Sequence, residues 1–383
     1  MRRVSVLLTI ILIFCLFPCS GQAAGLKVGG KSSLLMDVST GTILHENNAH
    51  EPLAPASVTK VMTMLLIMES IDSGKINWDD TVTASEAAAA KGGSQVYLKA
   101  GETMTVQDML KSIAVSSAND CACAMAEYIA GSEDAFVDLM NSRAKELGMH
   151  DTHFVNCTGL DDSEDAKNHR TSAHDIALMS RQLLKYHPDI KKFTTIWMDS
   201  VRNGAFGLSN TNKLIRFYEG ATGLKTGFTS GAGYCLSASA ARDGMELVAV
   251  VMGAEDSKVR FHACKTMLDH GFANYALFRP DLCDAGDVPV TLGKAAVVPP
   301  RMGENTELLI DKSLKGTIST EIQLVEELPA PVSQGQPLGT MIIRSGEQVL
   351  KEIPLVAARN VDRLTFGEIY LSVLRQTAMA QAQ

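Results

Sequence analysis

The spacing of hydrophobic residues predicts sheet in two parts of the chain and helices between them. Residues 32–48, SSLLMDVSTGTILHENN, hold two short apolar runs separated by Ser-Thr-Gly, which is typical of a β-hairpin. Residues 225–254 hold two apolar runs that meet at Asp243-Gly244, a strong signal for a two-residue hairpin turn. Helical patterns lie at residues 57–68, 106–113, 119–131, 133–149, 171–187 and 257–277. We therefore predict an α+β domain whose first and last strands pair and whose middle helices cover the sheet.

The chain beyond about residue 278 has a different pattern. Short alternating segments such as TELLI, TEIQLVEEL and GTMIIRSG are broken by proline and glycine, which predicts a small all-β module. The last segment places Phe366, Ile369, Tyr370 and Val373 at helical spacing, which predicts an amphipathic helix. The predicted division of the chain is a signal peptide over 1–24, a large domain over 25–277, a β-rich domain over 278–356 and the amphipathic helix over 357–383.

The first residues have the features of a secretory signal peptide. Arg2 and Arg3 precede an apolar run that ends at Phe17, and the small residues Ala23 and Ala24 follow. The alternative is a retained membrane anchor, but the run is shorter than the roughly 20 residues that cross a bilayer. We therefore expect cleavage near Ala23 or Ala24 and export across the cytoplasmic membrane.

Composition and charge narrow the function classes. The chain has 383 residues and 46% hydrophobic content, enough for a large domain and a smaller one. Its net charge of -8 argues against nucleic acid as a partner, because binding a phosphate backbone needs clustered Lys and Arg. The cysteines that would remain after cleavage form neither a disulfide framework nor a metal-ligand pattern, so we predict no required metal. They are Cys121, Cys123, Cys157, Cys235, Cys264 and Cys283.

A candidate nucleophile lies in the segment PLAPASVTKVMTMLLIM. Ser57 and Lys60 share a helix face because they are three residues apart, and the prolines before them favour a helix start at the serine. Catalysis would require the lysine to accept the hydroxyl proton, and burial favours its neutral form. The spacing alone is weak evidence, since Ser142 and Lys145 repeat it on the polar face of another predicted helix.

Two further elements strengthen the catalytic interpretation. Segment SSAND contributes Ser117 and Asn119, and segment LKTGF contributes Lys225, Thr226 and Gly227. Each residue alone could be a cap, a turn or a solvated strand residue. Together, Ser117 could relay a proton to the leaving group, Asn119 could bind a substrate amide and Lys225 could supply positive charge. Thr226 could bind a carboxylate, and Gly227 would let substrate backbone approach the strand.

The ordered set SxxK, SxN and KTG resembles the signature of penicillin-binding proteins and class A β-lactamases. Segments LMDVSTGTILHENN, GETMTVQDML, NHRTSAHDIALMSR and KTGFTSGAGYCLSASA extend the resemblance over about residues 32–275, specifically to the low-molecular-weight serine D-alanyl-D-alanine carboxypeptidases. The fold that this implies is a β-lactamase-like transpeptidase domain, with an antiparallel sheet and a helical cluster, followed by the small all-β domain.

The resemblance also implies a reaction. Ser57 would attack the bond between the two terminal D-alanines of a peptidoglycan stem peptide, and the backbone N–H groups of Ser57 and Phe228 would stabilise the oxyanion. Arg260 matches a family position that helps to hold the substrate's terminal carboxylate. β-Lactam antibiotics would acylate the same serine. No metal or organic cofactor is implied, and the terminal helix would bind the outer face of the cytoplasmic membrane.

Two alternatives remain at this point. Glu164 and Asn168 fit the ExxxN pattern with which class A β-lactamases position a deacylating water. The other alternative is an exported peptidoglycan-binding protein that keeps the fold without turnover; such a protein would be expected to lack a motif residue, and all of them are present.

Overall fold

The structure is a computed structural model that describes residues 26–282, 285–303 and 306–380. The predicted signal peptide, residues 1–24, and Cys283 lie outside the described residues. The strands are β1 (Ser32–Asp37), β2 (Ile43–Asn47), β3 (Thr81–Thr83), β4 (Thr103–Thr105), β5 (Met198–Val201), β6 (Phe206–Ser209), β7 (Ala221–Thr229), β8 (Gly233–Arg242), β9 (Met245–Ala254), β10 (Tyr275–Phe278), β11 (Val288–Thr291), β12 (Val297–Val298), β13 (Pro300–Met302), β14 (Leu308–Asp311), β15 (Ile318–Leu324), β16 (Leu328–Pro329), β17 (Pro337–Ser345) and β18 (Gln348–Ala357). The α-helices are α1 (Lys60–Asp72), α2 (Glu86–Ala89), α3 (Val106–Ser116), α4 (Asn119–Ala130), α5 (Glu133–Glu146), α6 (Ala173–Tyr186), α7 (Lys191–Thr194), α8 (Leu214–Phe217), α9 (Ser257–Asn274) and α10 (Phe366–Ala380).

The central sheet confirms the predicted pairing of the first and last strands of the large domain. Its strand order is β2-β1-β9-β8-β7, and every neighbouring pair is antiparallel. The turn between β8 and β9 has Asp243 at φ 49° and Gly244 at φ 76°, the left-handed pair that a tight hairpin requires. Strand β7 lies at one edge of the sheet, so one side of its backbone is available to a ligand.

Both faces of the sheet are covered, which explains the apolar runs 34–36 in β1 and 247–252 in β9. Leu34 and Met36 face a core that includes α1, α3, α4 and α6, whereas Leu35 faces a second core built with α9. The side-chain alternation of a strand therefore divides one apolar run between two layers of helices. The result is the α+β fold predicted from the sequence.

The predicted helix 57–68 is buried but begins differently. Residues Ala56–Thr59 form one turn of 3-10 helix, and α1 follows from Lys60 to Asp72. All residues from Lys60 to Met68 are buried, because the helix runs through the middle of the helical cluster. The serine therefore lies in the tighter turn that precedes α1.

The predicted helix 257–277 is too long. Helix α9 ends at Asn274, and Tyr275–Phe278 forms β10, which pairs with β14 of the C-terminal module. Tyr275 is already extended, at φ -118° and ψ 155°. Half-buried apolar residues that continue a helical pattern can equally form a strand. Here the pairing with β14 determines that residues 275–278 are extended.

The C-terminal module is all-β, as predicted. Strands β13-β18-β17-β15 form one sheet, and β12-β11-β16 form a second. Val361, beyond the end of β18, is buried and forms a bridge with Val332, so the segment that follows β18 still packs into the module. Helix α10 then begins with a reciprocal cap in which Thr365 and Glu368 bind each other's backbone N–H groups.

Candidate active site

The Ser57 hydroxyl and the Lys60 amine are adjacent because both belong to the turn that begins α1. In a 3-10 turn, side chains three residues apart eclipse each other. Lys60 Nζ lies 3.1 Å from Ser57 Oγ, and it donates a 2.8 Å hydrogen bond to the carbonyl oxygen of Thr158. Lys60 is 0% exposed, whereas Ser57 is half-buried.

Burial changes the protonation of Lys60. It lowers the lysine's pKa to about 7, and the negative charge of Asp120 opposes this only in part. Near neutral pH, a large fraction of Lys60 therefore carries a lone pair. With one N–H directed at Thr158, that lone pair can accept the Ser57 proton.

The turn that presents Ser57 is conformationally unusual. Ala56, the residue before the serine, has φ 49°, in the left-handed region that non-glycine residues seldom adopt. Gly159 packs so closely on this turn that a Cβ there would lie 1.9 Å from the Ala56 carbonyl oxygen. The segment that carries Thr158 and Gly159 therefore contacts both the nucleophile's turn and the lysine.

Ser117 and Asn119 lie at the junction of α3 and α4. Ser117 ends α3 at φ 63°, and its buried Oγ has no hydrogen-bond partner within the described part of the chain. The Asn119 Nδ2 group donates 2.7 Å to the Gly92 carbonyl, while its buried Oδ1 has no partner among the same residues. Unsatisfied buried polar atoms are costly, so the Ser117 Oγ and the Asn119 Oδ1 are suited to form hydrogen bonds with a ligand or a water molecule.

Lys225 and Thr226 lie on the edge strand β7. Lys225 is 1% exposed, and its Nζ donates 2.9 Å to the Thr226 carbonyl. Burial, and then the positive charges of Lys60 and Arg260, hold the Lys225 pKa well below its usual range. A carboxylate placed here would raise that pKa again. The Thr226 hydroxyl donates 2.6 Å to that of Thr211, which ties β7 to the loop before α8.

Gly227 is where β7 meets the serine turn. A Cβ on Gly227 would lie 2.6 Å from the Pro55 carbonyl oxygen and 3.1 Å from the backbone nitrogen of Ser57. Only a glycine lets the two backbones approach this closely. The next residue, Phe228, is 54% exposed, and its ring centroid lies 4.3 Å from that of Tyr234, with the two rings tilted by 32°.

Arg260 reaches β7 from α9, on the other side of the sheet. Its Nη1 donates to the carbonyls of Gly227 at 2.8 Å and Cys235 at 3.2 Å, so it braces the edge strand. The guanidinium also lies over the rings of Tyr234 and Phe261. Its buried Nε has no hydrogen-bond partner in the ranges that the structure describes.

Three groups at the site were not identified from the sequence. Thr158 acts through its backbone carbonyl, which leaves no side-chain signal. Thr211 contributes a hydroxyl from an irregular loop without a motif. Asp120 follows Asn119 directly, and its buried carboxylate accepts the N–H groups of Val96 and Leu98. Because Asp120 is an acidic residue within an otherwise apolar helical pattern, the sequence could have indicated that its carboxylate binds polar groups inside the protein.

The Ser142 and Lys145 pair and Glu164 are all exposed to solvent. Ser142 and Lys145 are both exposed on α5, as expected for a pair without a function. Glu164 forms an ion pair with Lys167, and its side chain is 90% exposed. It lines an open cavity of about 690 Å³ beside the site. A carboxylate so accessible to bulk solvent does not match a group that holds a single deacylating water.

Within the described ranges, no group of three or more His, Cys, Asp or Glu side chains is arranged to hold a metal ion. The cysteines described there, Cys121, Cys123, Cys157, Cys235 and Cys264, are buried free thiols.

Comparisons with known proteins agree with this geometry. Residues 20–256 match the peptidase S11 family model, D-alanyl-D-alanine carboxypeptidase, and residues 282–363 match the C-terminal domain model of penicillin-binding protein 5. The chain is 43% identical over 343 residues to the D-alanyl-D-alanine carboxypeptidase DacF of Bacillus subtilis, covering 88% of this chain and 87% of that protein.

Solved structures are similar too. Penicillin-binding protein 5 from Haemophilus influenzae has a TM-score of 0.74 at 28% identity and covers 88% of this chain and 98% of its own. Penicillin-binding protein D2 from Listeria monocytogenes, in a cefotaxime-bound form, has a TM-score of 0.59 at 30% identity, covering 65% of this chain and 99% of its own.

Proposed function

The chain belongs to the serine D-alanyl-D-alanine carboxypeptidase family, and from this premise we propose that Ser57 is the nucleophile that releases the terminal D-alanine from peptidoglycan stem pentapeptides. The observation that carries the proposal is the contact between a fully buried Lys60, with its pKa near 7, and Ser57 Oγ. Burial keeps a proton acceptor available beside the hydroxyl at neutral pH.

Acylation uses the groups on the turn and on β7. As Ser57 Oγ bonds to the carbonyl carbon of the penultimate D-alanine, its proton passes to Lys60 Nζ. The N–H groups of Ser57 and Phe228 then stabilise the oxyanion. Collapse of the tetrahedral intermediate breaks the peptide bond, and the departing amine of D-alanine receives the proton through the Ser117 hydroxyl. An ester on Ser57 remains, which water hydrolyses.

Substrate orientation follows from the edge position of β7. An extended peptide can lie along the strand and bind it as an added strand. The unpartnered Oδ1 of Asn119 would accept a substrate amide N–H. The terminal carboxylate would meet the Thr226 hydroxyl and the Lys225 ammonium, with Arg260 behind them. In the free enzyme the charges near Lys225 are positive, so the substrate carboxylate supplies the missing counter-charge.

β-Lactams would be covalent inhibitors at the same serine. Opening the lactam ring forms the same ester, but the leaving amine stays attached to the acyl group and blocks the approach of water. The relative from Listeria monocytogenes was solved in cefotaxime-bound and ampicillin-bound forms. This supports the proposal that penicillins acylate Ser57 here. No cofactor takes part in the proposed reaction.

We further propose that the mature chain works outside the cytoplasm, on the outer face of the cytoplasmic membrane. In the described residues no helix is long and apolar enough to cross a membrane. Helix α10 nevertheless exposes large apolar side chains, with Phe366 at 85%, Tyr370 at 58% and Leu371 at 56%. Such a helix fits a peripheral attachment in the plane of the interface.

The experiment is D-alanine release from a synthetic stem pentapeptide, with a matched pair of serine variants. We expect release by the unmodified protein and by Ser142→Ala, which removes the exposed serine of the same spacing. We expect none from Ser57→Ala. Equal release by Ser57→Ala and the unmodified protein would exclude Ser57 as the nucleophile.

A further inference from the structure

The segment from Val155 to Arg170 contacts the serine turn at both of its ends. Near its start, the Thr158 carbonyl accepts from Lys60 Nζ. Near its end, His169 is 4% exposed, and its Nε2 lies 2.8 Å from the hydroxyl of Thr59, two residues after the nucleophile. Neither the motif pattern nor the proposed reaction assigns a role to this histidine.

The hydrogen bonds around His169 allow one arrangement of protons. The backbone N–H of Val155 can only donate, so His169 Nδ1, 3.2 Å away, must accept and carries no proton. The Thr59 hydroxyl donates its proton to the Ala56 carbonyl at 2.8 Å. That hydroxyl must therefore accept from His169, whose Nε2 carries the proton. The ring is the neutral Nε2–H tautomer.

This chain of hydrogen bonds ends on the residue whose backbone is strained. It runs from the Val155 N–H through the imidazole and the Thr59 hydroxyl to the carbonyl of Ala56. Ala56 has φ 49°, a conformation that persists only where surrounding contacts impose it. Ser57 is the next residue, so the direction of its side chain depends on that backbone.

We propose that His169 is a positioning residue for acylation, which directs the Thr59 hydroxyl onto the Ala56 carbonyl and so holds Ser57 Oγ against Lys60. This proposal rests on the proposed role of Ser57 as the nucleophile. His169 touches neither substrate nor reacting atoms. It acts through Thr59, and a weaker hold on the turn would lower the rate of the chemical step more than it changes substrate binding.

The surroundings of His169 keep its ring in the neutral Nε2–H tautomer. Burial, and then the nearby positive charges of His153 and Lys60, lower the His169 pKa to about 4. A second proton, on Nδ1, would also point at the Val155 N–H, which can only donate a hydrogen bond. The tautomer is therefore preserved over the pH range in which Lys60 titrates.

The alternative role is packing alone, because the ring also meets Phe154 edge-on at 5.6 Å. Two substitutions separate the roles. In His169→Gln the side-chain amide nitrogen occupies the place of Nε2 and can donate to Thr59. In His169→Asn the side chain reaches only the place of Nδ1, so the bond to Val155 can form but the bond to Thr59 cannot.

The experiment measures the second-order rate constant for acylation by a fluorescent penicillin, per folded molecule, together with the thermal midpoint of unfolding. We expect His169→Asn to lose roughly tenfold or more in acylation, with His169→Gln recovering most of that rate. A parallel pair, Thr59→Val against Thr59→Ser, tests the same bond from the other side if His169→Asn does not fold. With pentapeptide substrate, the loss should fall on kcat rather than on KM.

The possible results separate a positioning role of His169, a role in packing alone and a failure of the proposed function. If the unmodified protein is labelled and the Asn and Val variants react as fast as the Gln and Ser variants, the positioning role is wrong. If both histidine variants lose the same fraction of rate and of stability, His169 only packs, and the proposal is also wrong. If the unmodified protein is not labelled on Ser57, the proposed function itself fails.

Discussion

Lys60 Nζ lies 3.1 Å from Ser57 Oγ, on a lysine that is entirely excluded from solvent. The helix that carries Lys60 is buried from Lys60 to Met68, so the lysine is surrounded by the protein core rather than by water. The same burial that orders the fold therefore produces the proton acceptor, by lowering the lysine's pKa to about 7.

Acylation should depend on pH through Lys60. Below about pH 7 the lysine is protonated and cannot accept a proton, whereas above it the neutral amine predominates. The rate constant for penicillin acylation should therefore rise as pH increases from 6 to 8 and then level off, in proportion to the neutral fraction. Stopped-flow labelling across this range measures it. A rate that is flat from pH 5.5 to 8.5 would exclude Lys60 as the base.

Replacing the lysine with a permanent cation tests the same role without changing pH. Lys60→Arg keeps a positive charge in the site but cannot lose its proton under these conditions. We expect acylation to fall roughly 10²- to 10⁴-fold, the usual contribution of a general base. Lys145→Arg, on the exposed face of α5, is the matched control and should react normally. Comparable rates for the two variants would contradict the assignment.

Gly227 should tolerate no side chain. A Cβ there would meet the Pro55 carbonyl at 2.6 Å, so Gly227→Ala must separate β7 from the serine turn. We expect about 1–3 kcal/mol of lost stability and a large loss of acylation. Gly207→Ala, at an exposed position of β6 with nothing within 4 Å of the new Cβ, is the control. Denaturant unfolding and penicillin labelling measure both effects, and a fully active Gly227→Ala variant would refute this close approach.

Substrate binding should take up protons. The pKa of Lys225 is lowered by burial and by neighbouring cations, and a bound carboxylate raises it. Ser57→Ala should therefore gain protons when it binds a pentapeptide ending in D-Ala-D-Ala at pH values between the lowered Lys225 pKa and its raised, bound value, so the measurement scans about pH 7 to 10. Titration calorimetry in buffers of different ionisation enthalpy measures this uptake. The C-terminal amide of the same peptide should give none, and equal uptake for acid and amide would disprove the carboxylate contact.

The proposed membrane attachment is tested by truncation after Thr365, not earlier. Residues before α10 belong to the β-module, since Val361 is 3% exposed and the Leu364 N–H donates to the Leu292 carbonyl. The chain ending at Thr365 should stay folded and active but lose binding to phospholipid vesicles. A chain ending at Ala358 should also lose module stability. Unchanged vesicle binding by the first truncation would show that α10 is not the attachment.

Much of the fold was predictable because its signals are local. The Asp243-Gly244 turn, the Thr105 cap of α3 and the apolar runs of β1 and β9 all appear in the sequence and in the structure. The end of α9 was not predictable in this way. Its last apolar residues fit a helix equally well, and pairing between β10 and β14, distant in the chain, decides their conformation.

In the candidate site, too, some contacts were predictable from the sequence and others were not. Side-chain motifs pointed to Ser57, Lys60, Ser117 and Lys225, and the structure packs the serine turn against β7, and α1 against α3 and α4. Contacts made through backbone atoms, such as the Thr158 carbonyl on Lys60, leave no residue-type signature. The left-handed φ of Ala56 likewise cannot be predicted from the sequence, because alanine usually adopts other conformations.

The most direct test of Ser57 as the nucleophile is the intact mass of the protein after brief exposure to benzylpenicillin, followed by denaturation and peptide mapping. We predict one penicilloyl adduct per chain, located on Ser57 and missing from Ser57→Ala. No adduct on the folded protein, or an undiminished adduct on Ser57→Ala, would contradict it.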